Sequence, residues 1–159
     1  MTNFLEQLAA EYYSHMGYFV RTNVKYGLRK KGGYEGEMDV VAFHPESLVL
    51  LHIETSMDAD SWEKRKNKFQ KKFSKAHDHY YKLFKFEIRK REKMVIVGFN
   101  SPRDDFWSIA PIKSIPDFVG EVTDYLSQFH PLNQAVPENY PLLRAMQFAI
   151  HYDKRLRNF

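Results

Sequence analysis

Between Tyr34 and Ser56 the chain alternates in steps of two, and no other stretch constrains the fold as tightly. Tyr34–Phe43 and Leu48–Ser56 are rich in β-forming residues and are joined by His44-Pro45-Glu46-Ser47, which predicts a hairpin with a loop of about four residues. Strand side chains alternate between faces, so Glu35, Glu37, Asp39, Val41 and Phe43 share one face. On the partner strand Leu48, Leu50, His52, Glu54 and Ser56 share it too. A loop of that length pairs Phe43 with Leu48, Val41 with Leu50, Asp39 with His52 and Glu37 with Glu54. One face therefore begins apolar and turns acidic. Leu48 to Leu51 is apolar on both faces, as in a central, covered strand, yet the strand runs on into His52, Glu54 and Ser56. Like charges opposed across a ladder destabilise it unless a cation or a proton compensates them. Either the hairpin emerges into solvent at this end, or its carboxylates gather round a cation; hard oxygen donors of this kind suit Mg2+ or Mn2+.

The flanking segments supply helices and further strands. Asn3 and Glu6 stand in capping-box relation ahead of Leu5, Leu8, Ala9, Tyr12 and Met16, which predicts a helix over Phe4–Met16 stopped at Gly17. Glu11 lies at the margin of its apolar stripe, from which it can project toward the sheet. Tyr18–Val24 reads as a strand, and Tyr26–Gly33 as a loop carrying Arg29, Lys30 and Lys31. After Met57, Asp60 and Glu63 form a second capping box, and Trp62, Phe69, Phe73, Ala76, Tyr80 and Leu83 make one stripe of a long helix. Lys64, Arg65, Lys68, Lys71, Lys72, Lys75, Lys82 and Lys85 occupy its other faces. Lys93–Phe99 reads as a buried strand and Trp107–Ile112 as a weaker one. Two helices close the chain, from Pro116 to just before Pro131 and over Glu138–His151, ahead of a basic tail at Lys154, Arg155 and Arg157. The order αβββαβ followed by helices predicts one α/β domain around a mixed sheet, with a core over about residues 4–99 and a helical extension over about 116–159.

Composition narrows the chemistry. The 159 residues include no cysteine, which excludes disulfides, thiolate zinc sites and cysteine nucleophiles. The start of the chain lacks the pattern of a secretion signal, and no stretch approaches the roughly 18 apolar residues of a membrane span; a soluble, cytoplasmic protein without a membrane partner is expected. His77 and His79 would lie about 200° apart on a helix, too far to share a metal, and neither a phosphate-binding glycine loop nor a serine elbow is present. The net charge of +4 says little until it is resolved along the chain. Residues 1–60 carry 5 Lys and Arg against 9 Asp and Glu, residues 61–93 carry 13 against 4, and residues 94–159 carry 6 against 7. Acidic ligands between two basic segments fit phosphodiester chemistry, in which cations hold the backbone while a metal activates water. On that reading Arg29, Lys30, Lys31, Lys64, Lys68, Lys71 and Lys75 line the phosphate path, with Glu37 as an accessory acid.

A helix glutamate (Glu11), the strand Gly36-Glu37-Met38-Asp39-Val40-Val41-Ala42-Phe43, and then His52-Ile53-Glu54-Thr55-Ser56 ahead of a helix and a strand resemble the PD-(D/E)xK superfamily, the restriction-endonuclease-like nucleases that include Holliday junction resolvases and Mrr-like enzymes. The resemblance spans about residues 4–99 and implies a Mg2+-dependent (or Mn2+-dependent) endonuclease acting on nucleic acid, foremost DNA, with a homodimer allowed. It assigns the metal to Asp39 and Glu54 and makes Glu11 an additional helix acid. The family's lysine falls at position 56, where this chain has Ser56, and Met38 stands where proline precedes the aspartate. Serine carries no positive charge and is no base at ordinary pH. Branches of the superfamily relocate this lysine, so its work falls to His52, Lys64 or Lys68, unless the protein is a catalytically silent member of the fold that binds nucleic acid or a protein. His52 could equally be a structural histidine paired with Asp39.

Overall fold

The computed structural model describes residues 3–98 and 108–153. Its elements are α1 (Phe4–His15), β1 (Phe19–Leu28), β2 (Tyr34–His44), β3 (Val49–Ser56), α2 (Trp62–His77), α3 (Tyr80–Leu83), β4 (Lys90–Val97), β5 (Ile112–Ser114), α4 (Ile115–Ser127) and α5 (Pro141–Tyr152). The architecture is α/β, with a five-stranded mixed sheet in the order β1-β2-β3-β4-β5. β1, β2 and β3 are antiparallel, and β3, β4 and β5 are parallel. The alternation of β2 and β3 divides the core into two layers. Val40, Ala42, Leu51 and Ile53 are buried with Leu8, Tyr12, Phe118, Val122 and Leu143 of α1, α4 and α5. Val41 and Leu50 point the other way, under Ala76 and Tyr80 of α2 and α3. Among the described residues, no helix is long and apolar enough to cross a membrane.

The hairpin is present with its register moved by two residues: Phe43 pairs with Leu50 and Val41 with His52. Leu48 adopts a left-handed conformation (φ 56) and stays in the turn, so pairing starts at His44 and Val49. A shift of two keeps every side chain on its face. It does change the partners, and the expected pairs of Asp39 with His52 and Glu37 with Glu54 do not form; Glu37 faces Lys25 of β1 instead.

Other boundaries move for local reasons. β1 runs on to Leu28, so only Arg29–Gly33 remains a turn, closed by Arg29 N–H to the Gly33 carbonyl at 3.0 Å. Gly32 and Gly33 supply its positive φ values, 87 and 79. The long helix is capped by Ser61, whose hydroxyl accepts from Lys64 N–H, in place of the expected Asp60, and it breaks into α2 and α3 where His77-Asp78-His79 replaces good helix formers. α5 begins at Pro141, later than expected, because a proline suits the first helical position. β4 starts at Lys90, where parallel pairing with Val49 begins. Phe99, Trp107 and the basic tail at Lys154, Arg155 and Arg157 lie outside the described residues.

Candidate functional site

The β2–β3 ladder runs only as far as Val40 and Ile53, and the carboxylates sit just past that point. Asp39 Oδ2 accepts the backbone N–H of Thr55 at 2.9 Å, so a side chain takes a β3 donor that continued pairing would have used. That bond fixes Asp39 against the end of β3. Glu54, on the same face of the sheet, is fully buried. From α2 the Lys72 ammonium reaches down and donates to Asp39 Oδ1 at 2.9 Å and to Glu54 Oε2. One oxygen from each acid thus converges on a single point of positive charge.

The second Glu54 oxygen is held from behind. His52 Nε2 lies 2.7 Å from Glu54 Oε1, and His52 Nδ1 lies 2.6 Å from the Tyr80 hydroxyl. Burial drives the His52 pKa down to about 3, with Lys72 and Lys93 adding to it and Asp39 opposing, so the ring is neutral and carries one proton. The partners assign that proton to Nε2, which donates to the carboxylate, while Nδ1 accepts from Tyr80. Tyr80, His52 and Glu54 therefore form a buried relay that orients the glutamate. The anticipated pairing of His52 with Asp39 is replaced by this one, because the two-residue register shift carries His52 opposite Val41.

The electrostatics of the cluster call for a compensating proton or cation. Burial, and after it Asp39, push the Glu54 carboxyl well above its ordinary value, against Lys72. Burial works against the Lys72 charge too, but Glu54 and Asp39 outweigh it and raise the lysine pKa. Two acids against one ammonium leave one negative charge in excess when both are ionised, and a site of low dielectric neutralises such an excess with a proton or a cation. Glu6, buried near the start of α1 and held by Asn3 in its capping box, feels the field of the cluster: burial and then Asp39 raise its pKa, while the Asn3 hydrogen bond and Lys72 lower it.

The remaining candidates separate into those that join the site and those that do not. Glu11 does not join it. Its Oε2 accepts the N–H groups of Leu142 and Leu143 at 2.8 and 3.0 Å, capping α5, and its Oε1 accepts from Gln7. The free donors at a helix start draw it there, away from the sheet end. Ser56 is buried beside the site and donates to Asp58. Asp58 also accepts from Arg65 Nε and Lys68 Nζ, each at 3.1 Å. Burial acts to raise the Asp58 carboxyl, but the hydrogen bonds from Ser56, Arg65 and Lys68 hold it well below its usual range. The position of the motif lysine is thus part of a knot fastening β3 to α2. Neither Lys64 nor Lys68 reaches the carboxylates: Lys64 is bound to Asp60 and Lys68 to Asp58. Lys71 and Lys75 lie exposed on α2, and Arg29, Lys30 and Lys31 are exposed on the β1–β2 turn.

Lys72 and Tyr80 are the site residues that the sequence pattern did not single out. The signal for Lys72 was angular. At about 100° per residue it lies some 60° from Phe69 and 40° from Ala76, at the margin of the buried row of Arg65, Phe69, Phe73 and Ala76. Its aliphatic stem follows the core while its ammonium reaches the acids.

Among the described residues, no group of three or more His, Asp or Glu side chains forms a ready-made metal cage. The arrangement does fit Mg2+ or Mn2+, which take one or two carboxylates and complete their shell with water and phosphate oxygens. Asp39 Oδ1 and Glu54 Oε2 are the oxygens that would hold the ion, where the Lys72 ammonium now bridges them. Comparison of the chain with family models, curated proteins and solved structures yields no match.

Proposed function

We propose that the protein is a metal-dependent nuclease with a restriction-endonuclease-like core that hydrolyses phosphodiester bonds in DNA, with Asp39 and Glu54 as the ligands of Mg2+ or Mn2+. The observation that carries this reading is the convergence of one Asp39 oxygen and one Glu54 oxygen on the Lys72 ammonium at the end of the sheet. The order of the helices and strands supports it, as does the location of the acids at the carboxyl end of β3, where open α/β sheets bind their ligands.

A divalent ion bound there supplies Lewis-acid stabilisation of the phosphoryl oxygens and a more acidic attacking water. The chain's own residues do the rest. Asp39 is aimed by the Thr55 N–H and Glu54 by His52 and Tyr80, so both acids are preorganised. Lys72 performs the work of the relocated lysine: displaced from the carboxylates, its ammonium remains beside them to bind a phosphate oxygen or orient the water. Arg29, Lys30, Lys31, Lys71 and Lys75, which form no ion pair among the described residues, hold the phosphate backbone. Lys64 and Lys68 serve the fold first.

Supercoiled plasmid nicking in Mg2+ or Mn2+ tests the reading. Wild type converts the plasmid, while Asp39→Ala and Lys72→Met lose at least a hundredfold in rate; equal rates in all three proteins sink the assignment. A second reading has one observation in its favour. The Lys72 ammonium already bridges both acids, holding them together without a metal, as a catalytically silent nucleic-acid-binding or protein-binding relative would need. Salt-dependent DNA affinity without cleavage under any divalent metal selects it.

A further inference from the structure

The β1–β2 ribbon continues after β3 has left it. β3 accompanies β2 only as far back as Val40, whereas β1 pairs with β2 out to Leu28 and Tyr34. The pairs from Val24 with Met38 to Leu28 with Tyr34 form a two-stranded arm, which at about 3.4 Å per residue carries its turn roughly 17 Å past Asp39.

A lone hairpin is marginal in water, but this one is braced. Val24, Tyr26 and Met38 are buried with Ala76 and Tyr80. The Tyr26 ring lies over Gly36, where a Cβ would collide with it, and 5.0 Å from the ring of His79. His79 in turn meets Glu35 at 3.3 Å. Backbone bonds between Arg29 and Gly33 and between Gly32 and Arg29, both 3.0 Å, close the turn.

This braced arm presents unpaired charge beside an exposed apolar pair. Arg29, Lys30 and Lys31 are exposed and form no ion pair among the described residues, in contrast to Lys64, Lys68 and Lys72 of α2. Next to them the cross-strand pair Leu28 and Tyr34 stays exposed, at 74% and 46%. Solubility calls for exposed charge, but not for an apolar pair braced among three cations. A two-stranded ribbon fits the major groove of a duplex, which is about 12 Å wide. At 3.4 Å per base pair, 17 Å corresponds to about five base pairs.

We propose that the β1–β2 arm is a duplex-binding element, with Arg29, Lys30 and Lys31 on the phosphates that border a groove and Leu28 and Tyr34 toward its floor, about five base pairs from the bond addressed by Asp39 and Glu54. The proposal rests on the nuclease reading for that separation, and its test keeps the two apart. Affinity for a fluorescent duplex and for the matching single strand is measured in EDTA over a salt series, for wild type and for the triple variant Arg29→Ser, Lys30→Ser, Lys31→Ser. Thermal melts verify that the variant is folded, as three exposed turn substitutions allow. The variant is expected to lose about tenfold or more in duplex affinity and about two to three in the slope of log K against log salt, with a smaller loss on the single strand. An unchanged slope overturns the arm, as does equal loss on both substrates. Displacement of the duplex by polyglutamate at equal charge concentration also overturns it, in favour of an acidic protein partner. Arm-dependent binding without Asp39-dependent plasmid nicking leaves the arm standing and removes the nuclease. Nicking that depends on Asp39 and is indifferent to the triple variant does the reverse.

Discussion

Glu11 and Leu143 are joined across the whole length of the chain: the glutamate Oε2 accepts the Leu143 N–H at 3.0 Å and that of Leu142 at 2.8 Å. The carboxylate thereby serves as the cap that Tyr140, which makes no capping bond, does not provide. Glu11→Ala leaves two donors at the start of α5 without a partner and is expected to cost about 1–2 kcal/mol of stability. Denaturant unfolding reads this loss. The plasmid nicking that the proposed function expects should be unchanged per folded molecule; its loss with wild-type stability would return Glu11 to the site.

Lys72 competes with any cation for the same two oxygens. Lys72→Met removes the one ammonium that Asp39 and Glu54 receive among the described residues, and breaking a buried pair costs roughly 3–5 kcal/mol, with the low end fitting a lysine still partly exposed. Melting temperature without divalent ions should fall accordingly. Mn2+ should then raise it more in the variant than in wild type, since the ion no longer has to displace an ammonium. Equal shifts in both proteins would show that the ion does not bind between these acids.

The neutral His52 makes the fold sensitive to acid. In the unfolded chain the ring takes a proton near its ordinary value of 6.5, whereas in the fold it does not until about 3. Between these values the unfolded state binds more protons, so stability falls as pH is lowered through that window. The raised Glu54 carboxyl has the opposite sign, stabilising at low pH and losing that contribution as pH rises past 4.5. Subtracting the pH profile of His52→Gln from that of wild type should isolate a contribution that weakens from pH 6.5 toward 3. A flat difference would mean that the ring titrates freely in the fold.

Gly36 is where the Tyr26 ring of the neighbouring strand leaves no room for a side chain. The Tyr26 ring crosses it, so Gly36→Ala must push the ring off His79 or part the strands. A cost of about 1–3 kcal/mol is expected, as for overpacking elsewhere. Hydrogen exchange should place the damage at the arm amides around Tyr26 and Gly36, with Ile53 and Val95 in the sheet centre still protected.

The elements that periodicity governs were legible in the sequence: the stripe of α1, the faces of β2 and β3, and the apolar row of α2. Alternation puts Asp39 and Glu54 on one face together with Glu35, Glu37, His52 and Ser56, and the resemblance to the PD-(D/E)xK pattern is what marks these two among them. The hairpin register could not, since it depends on Leu48 turning left-handed, which no local preference of leucine announces. Lys72 was hidden among lysines of the same kind, distinguished only by its angle to Phe69 and Ala76. The helical period puts Glu11 at the edge of its stripe but not toward any one partner. What it meets there is the start of α5, more than a hundred residues away, and a contact at that separation leaves no periodic trace.

The sheet lists its strands in the order in which the chain makes them, and Asp39, Glu54 and Lys72 all come from residues 39–72. Loop closure within so short a segment costs far less entropy than bringing Glu11 to Leu143. During refolding, the acids and their lysine can therefore meet before the two ends of the chain do, and amide protection at Val41 and Ile53 should precede protection at Leu143.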